Sequence, residues 1–139
     1  MLTVCRRQRI EWGDCDPAGI VYFPRYFEYF DISTVGLFEA VGYRKPELLK
    51  AFDCAGFPVV DVRANFIRPS AFGEDVEIYS TIPEWGRSSF KVHHRLMKAG
   101  QLAVEGFETR VWVGHDASRP GGIAARPLPV ELFERFRHG

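Results

Sequence analysis

A chain of 139 residues fits one compact domain and is short for two. With 46% hydrophobic and 26% charged residues and a formal net charge of zero, it can pack a core but has no general attraction for phosphate backbones or anionic lipid. Nucleic acid and membrane are thereby set aside as partners, and a single domain over 1–139 is expected.

Thr3 to Trp12 is β-prone and bounded by Gly13, which predicts a first strand leading into a turn over Asp14 to Gly19. Pro24 suits a first helical turn, where its fixed φ helps and its missing N–H costs nothing. A helix is expected from Pro24 to Val41, stopped by Gly42. On it Phe27, Phe30, Thr34, Phe38 and Val41 share one face, away from Arg25, Glu28 and Glu39. Tyr26, Tyr29, Ile32 and Leu37 widen the apolar surface, so the helix is expected to be covered on most sides. KPELLKAF, Lys45 to Phe52, predicts a short second helix.

From Phe57 the period becomes two. Val60, Val62, Ala64 and Phe66 form one alternating set, and Val76, Ile78, Ser80 and Ile82 a second. Phe90, Val92, His94 and Leu96 follow, then Ala103, Glu105, Phe107, Thr109, Val111 and Val113. The connections are too short for helical crossovers, so these four strands are expected as an antiparallel meander. After His115 the Pro- and Gly-rich stretch to Pro129 reads as loop, and Val130 to Phe136 as a terminal helix. The long helix needs cover, and a curved antiparallel sheet of about five strands is the one large surface able to give it. An α+β fold with the helix inside the curl is expected. Its open sheet edges predict pairing of two chains.

The chemistry concentrates in GDCDPAGIVYFPRYFEYFD, residues 13 to 31. Asp14 and Asp16 have an ordinary reading as turn residues bonded to nearby backbone N–H groups. A calcium loop fails, because Ala18 holds the third ligand position and Arg25 the place of the bidentate glutamate. Cys15 is a weak nucleophile between two carboxylates. His93 and His94 neighbour each other on a strand and face opposite ways, so they share no metal. What is left is a carboxylate just before the N-terminus of a buried helix, where free N–H groups and the positive end of the dipole face the same space. That arrangement suits acyl transfer from a thioester, with the carboxylate attacking directly or activating water.

RIEWGDCDPAGIVYFPRYFEYFD, residues 9 to 31, resembles the hot-dog-fold acyl-CoA thioesterases of the 4-hydroxybenzoyl-CoA thioesterase type. The D-x-D-P-A-G-I-V core followed by an aromatic residue and Pro carries the likeness. EWGRSSF (84–90) and ETRVWV (108–113) extend it more weakly over nearly the whole chain. The resemblance implies Asp16 as the catalytic carboxylate, the Phe23 backbone N–H as oxyanion donor, and Gly19 as the close turn between them. It places Arg87 and Ser88 at the CoA nucleotide, although Gly86 and Ser88 stand where further cations belong, which turns attention to Arg126 as well. Asp31, at the margin of the apolar stripe, needs a partner. One reading is a strand arginine, Arg63 or Arg68. The other is a hydroxyl on an aromatic acyl group, with Tyr22 and Phe27 packing on its ring.

The resemblance further implies a site between subunits, a homodimer assembling into a homotetramer, no metal and no cofactor, coenzyme A being part of the substrate. Three cysteines, Cys5, Cys15 and Cys54, without redox or metal spacing, together with an N-terminus lacking the apolar centre of a secretion signal, suggest a cytoplasmic location. Two alternatives stay open: a thioesterase for short aliphatic acyl groups, and an acyl-CoA-binding module without turnover. A hydratase would need a histidine at the helix start, and none of His93, His94, His115 or His138 is placed there.

Overall fold

A computed structural model describes residues 1–138 of the chain. Pro24 opens the long helix α1 (Pro24–Ala40), whose Tyr26, Tyr29, Phe30, Ser33, Thr34, Leu37 and Phe38 are buried. Gly42, at φ +99, ends it in a conformation that side chains rarely adopt. The other elements are β1 (Thr3–Arg9), α2 (Lys45–Ala51), β2 (Val59–Phe66), β3 (Asp75–Trp85), β4 (Ser89–Lys98), β5 (Gln101–Val111), β6 (Val113–His115), β7 (Ile123–Ala125) and α3 (Val130–Arg137). A five-stranded antiparallel sheet in the order β1-β3-β4-β5-β2 covers α1. This is the α+β hot-dog arrangement. No helix among the described residues is long and apolar enough to cross a membrane.

Four expectations need correction, the last of them the phase of β5. The strands β3, β4 and β5 form a meander, but β2 pairs with β5 and not with β3. The place beside β3 is taken by β1, from Thr3 opposite Thr81 to Arg9 opposite Asp75. The segment after β2 therefore crosses the end of the sheet. It is held first at Ala103, whose carbonyl accepts from the Ile67 and Arg68 N–H groups, and then at Ile10, whose carbonyl accepts from Gly73. Second, β1 stops at Arg9, and Trp12–Asp14 form a 3₁₀ turn. Third, the expected loop after His115 contains a small hairpin of β6 and β7, made possible by Gly121 and Gly122 at φ +82 and +73.

In β5 the period of two holds, but its phase is reversed. Val104, Gly106, Glu108, Arg110 and Trp112 are buried while Glu105, Phe107 and Thr109 are half-buried on the other face. A one-residue offset exchanges every side chain between faces. Gly106 is needed there: a Cβ would lie 2.4 Å from Cε2 of the buried Phe30.

The core has two apolar clusters. One surrounds the first half of α1 with Tyr26, Phe30, Ile78, Leu96 and Val104, and the other its second half with Phe38, Phe57, Phe90, Trp112 and Phe136. Between them lies a buried polar layer of Thr34, Ser80, His94, Glu108 and Arg110. Each occupies an inward strand or helix position between residues of the two clusters, so the polar layer is as fixed as the apolar ones.

Candidate active site

The turn before α1 is laced by its own backbone. Asp16 donates its N–H to Ile20 at 2.9 Å, Gly19 donates to the Asp16 carbonyl at 2.9 Å, and Tyr22 donates to the Asp14 carbonyl at 2.8 Å. Gly19 has φ +84, the left-handed conformation that closes so tight a loop. The ordinary reading of both aspartates is partly realised. Asp14 Oδ2 accepts from the Glu11 N–H at 3.0 Å, and its Oδ1 lies 3.8 Å from Arg25 Nε. Asp16 Oδ1 accepts from the Ala18 N–H at 2.8 Å. Its Oδ2 has no hydrogen-bond partner among the described residues, so the turn orients the carboxylate and leaves one oxygen uncommitted.

Phe23 precedes Pro24 with helical dihedrals, φ −52 and ψ −34. Its N–H donates to no acceptor among the described residues, whereas the Arg25 N–H is used by the Tyr22 carbonyl at 2.8 Å. A free donor thus sits at the positive end of α1. Asp16 and Phe23 border one cavity of ≈ 420 Å³, walled by Ile20, Tyr26, Phe66 and Arg68. A partly shielded carboxylate, a free amide and an apolar wall are what a thioester carbonyl needs for attack and for stabilisation of the charge that develops on its oxygen.

Asp31 lies elsewhere. It faces a second cavity of ≈ 570 Å³ together with Phe27, Ile32, Val59, Val62 and Arg110. The ring of Phe66 borders the Asp16 cavity, with its centroid 6.4 Å from that of Phe23 and 6.4 Å from that of Phe27, which lines the second cavity. The expected arginine partner is real but misidentified: Arg110 Nη2 donates to Asp31 Oδ1 at 2.8 Å, and neither Arg63 nor Arg68 does. Arg63 lies over the Phe107 ring, 4.0 Å from its centroid, and Arg68 borders the Asp16 cavity. The Asp31 side chain is 58% exposed, so it is not the buried charge that its place on the helical wheel suggested. Tyr22 is also apart from this cavity. It is 51% exposed and makes an edge contact with Phe23.

Behind Asp31 runs the polar layer. Arg110 Nε donates to Glu108 Oε1 at 2.9 Å, and Thr34 Oγ1 donates to the same oxygen at 2.7 Å. His94 Nε2 lies 3.2 Å from Thr34 Oγ1, and Ser80 Oγ lies 2.6 Å from His94 Nδ1. Because the Thr34 proton is committed to Glu108, the hydrogen-bond pattern puts the His94 proton on Nε2 and makes Ser80 the donor to Nδ1. Burial pulls the His94 pKa down against the opposing pull of Glu108, so the ring is neutral. Burial alone would raise Glu108, but His94 and Arg110 outweigh it and hold the carboxyl below its ordinary range. Burial would lower Arg110, yet Glu108 and Asp31 leave it raised.

Arg87 is exposed in the turn between β3 and β4. Its carbonyl accepts from Leu128 at 2.8 Å, and the Ser88 carbonyl accepts from Trp112 at 2.7 Å. That turn packs near the far end of α1 through Trp85, Phe136 and Phe38. One chain therefore separates Arg87 and Ser88 from Asp16 by about the helix length, roughly 25 Å. Arg126 lies over Gly114 and donates to the His115 carbonyl at 2.8 Å.

Comparison with known proteins identifies the family. Residues 10–136 match the thioesterase-like superfamily. A 4-hydroxybenzoyl-CoA thioesterase from Pseudomonas sp. strain CBS-3 is 31% identical over 140 residues, covering 95% of this chain and 96% of the relative. A 1,4-dihydroxy-2-naphthoyl-CoA hydrolase from Synechococcus sp. is 26% identical, covering 84% and 80%. Among solved structures, a 4-hydroxybenzoyl CoA thioesterase variant with one aspartate replaced by asparagine, complexed with 4-hydroxybenzoyl CoA, superposes with a TM-score of 0.87 at 29% identity, covering 96% of this chain and 98% of that one. The fold, the turn before α1 and these likenesses agree: the chain belongs to the thioesterase-like superfamily, as a hot-dog-fold acyl-CoA thioesterase of the 4-hydroxybenzoyl-CoA thioesterase type.

Proposed function

We propose that this thioesterase hydrolyses an aromatic acyl-CoA whose ring carries a hydroxyl group, with Asp16 as the reacting carboxylate. One observation carries the reading: the uncommitted Asp16 oxygen and the free Phe23 N–H border one cavity at the positive end of α1. Attack by Asp16 on the thioester carbonyl expels CoA as thiolate and leaves a mixed anhydride, which water opens to the free acid. As a general base, Asp16 would instead take a proton from the attacking water. In either course the Phe23 amide faces the oxyanion, and no cofactor is needed, because CoA arrives with the substrate. The two relatives named above act on hydroxylated aromatic acyl groups, which supports the aromatic class.

The second subunit completes the site in this reading. β2 is an edge strand whose Val60, Val62 and Phe66 are exposed, as are Ile67 and Ile32 nearby. Exposed apolar edges of this kind invite pairing. Antiparallel pairing of β2 with a second β2 sets the Phe66 end of one subunit beside the Val59 end of the other. The Asp16 cavity of one chain then meets the Asp31 cavity of its partner, and Asp31 accepts the ring hydroxyl while Phe27 packs on the ring. Arg87 and Ser88, remote from Asp16 in their own chain, together with Arg126, serve the nucleotide of a CoA bound across subunits in a homodimer or homotetramer. The three unpaired cysteines suit a cytoplasmic enzyme.

Thiol release from 4-hydroxybenzoyl-CoA, benzoyl-CoA and a short aliphatic acyl-CoA tests the reading. The expected order of kcat/KM is that order. Fastest release from the aliphatic thioester would overturn the aromatic assignment, and tight binding with no release from any of them would make the protein a binding module.

A further inference from the structure

Arg110 is placed to do more than neutralise a charge, and the geometry points to it as the positioning residue that fixes the acyl-end acceptor Asp31 and so sets discrimination for a hydroxylated ring. The inference rests on the substrate reading above and goes one residue deeper. Arg110 is 3% exposed and Glu108 3%, while the Asp31 side chain is 58% exposed. The guanidinium uses its fork in three directions: Nε to Glu108 at 2.9 Å, Nη1 to the Phe57 carbonyl at 3.3 Å, and Nη2 to Asp31 at 2.8 Å. Its Cζ also lies over the Phe57 ring, 5.6 Å from the centroid. Glu108 is in turn fixed by Thr34 at 2.7 Å. An exposed aspartate on a helix would ordinarily sample several rotamers. Here one of its oxygens is tied to a buried, immobile donor, and the other is left to accept from a ligand in the cavity.

The arrangement has a chemical consequence. A site built to hydrogen-bond a hydroxyl rejects the analogue without it far more strongly than an apolar pocket does, provided the acceptor is held in place. Lysine cannot replace the fork, since its three donors radiate from a single flexible nitrogen and do not reproduce the planar spread that reaches Glu108, the Phe57 carbonyl and Asp31 at once. In Arg110→Lys the ammonium stays with Glu108, because a buried carboxylate left unpaired costs more than an exposed one. Asp31 keeps its charge and loses its anchor.

The test compares kcat and KM for 4-hydroxybenzoyl-CoA and benzoyl-CoA in the parent, Asp31→Asn, Arg110→Lys and Asp31→Glu. Asp31→Glu sits at an exposed helix position and folds even if Arg110→Lys does not; it keeps the charge and displaces the carboxylate. The expected result is a drop of at least about tenfold in the ratio of the two kcat/KM values for all three variants. The drop should come mainly from a lower kcat/KM for 4-hydroxybenzoyl-CoA, and the ratio in Asp31→Asn combined with Arg110→Lys should equal that of Asp31→Asn alone. A merely structural role for Arg110 would lower both substrates together. If Asp31→Asn lowers the ratio but Arg110→Lys and Asp31→Glu keep it, the positioning role is refuted and the substrate reading stands. If Asp31→Asn leaves the ratio unchanged, the acyl-end reading itself fails and the positioning role with it.

Discussion

Thr34→Val removes one hydroxyl from the middle of the polar layer and keeps the shape of the side chain. Thr34 is fully buried, and its Oγ1 both donates to Glu108 at 2.7 Å and faces His94 Nε2 at 3.2 Å. Loss of a hydrogen bond to a buried carboxylate costs about 1.5–3 kcal/mol. The stranded His94 N–H recovers part of its loss through Glu108 Oε2, 3.4 Å away. No cavity opens, so no packing cost is added. We expect a destabilisation of about 2–3 kcal/mol, which for a domain of this size lowers Tm by roughly 6–15 °C. Urea and thermal unfolding at pH 7 and one fixed protein concentration measure it, the concentration being held because association alters apparent stability. Activity at 25 °C should change less than about twofold, since Thr34 borders neither cavity. A loss below about 0.5 kcal/mol would refute the view that this layer is a closed hydrogen-bond network.

The same layer makes stability depend on pH. His94 has a folded pKa below its ordinary 6.5, so the unfolded chain binds more protons there and stability falls as pH drops below 6.5; His94→Gln should flatten that slope in urea titrations at pH 7 and pH 5. Glu108, held below its ordinary 4.5, adds a further loss as pH falls through and below that value. Gly106→Ala drives a methyl into Phe30, at 2.4 Å, and should cost about 1–3 kcal/mol by overpacking; a neutral thermal scan would contradict the close approach of α1 to β5.

Much of this arrangement is legible in the sequence. Pro24 and Gly42 bracket α1, and inward Val76, Ile78, Ser80 and Ile82 or Phe90, Val92, His94 and Leu96 follow from the period of two. The errors have common physical causes. Alternation read from hydrophobicity assigns the outward face of β5 as inward, because the true inward set carries Glu108 and Arg110, charges that satisfy each other. A signal was present: opposite charges two apart on a strand share a face and can pair. With that phase corrected, Arg110 rather than Arg63 or Arg68 becomes the natural partner of Asp31. The place of β2 beside β5 depends on β1 occupying the other flank of β3, a non-local choice that no local pattern encodes.

The central claim is that Asp16 carries out thioester cleavage beside the free amide at the start of α1. Asp16→Asn keeps the Ala18 hydrogen bond through its amide oxygen, so the turn and ligand binding should survive. Release of free CoA from 4-hydroxybenzoyl-CoA by this variant, measured at saturating thioester, is expected to fall at least about 100-fold in kcat, with the intact thioester still bound. Turnover within a few-fold of the parent would contradict the claim.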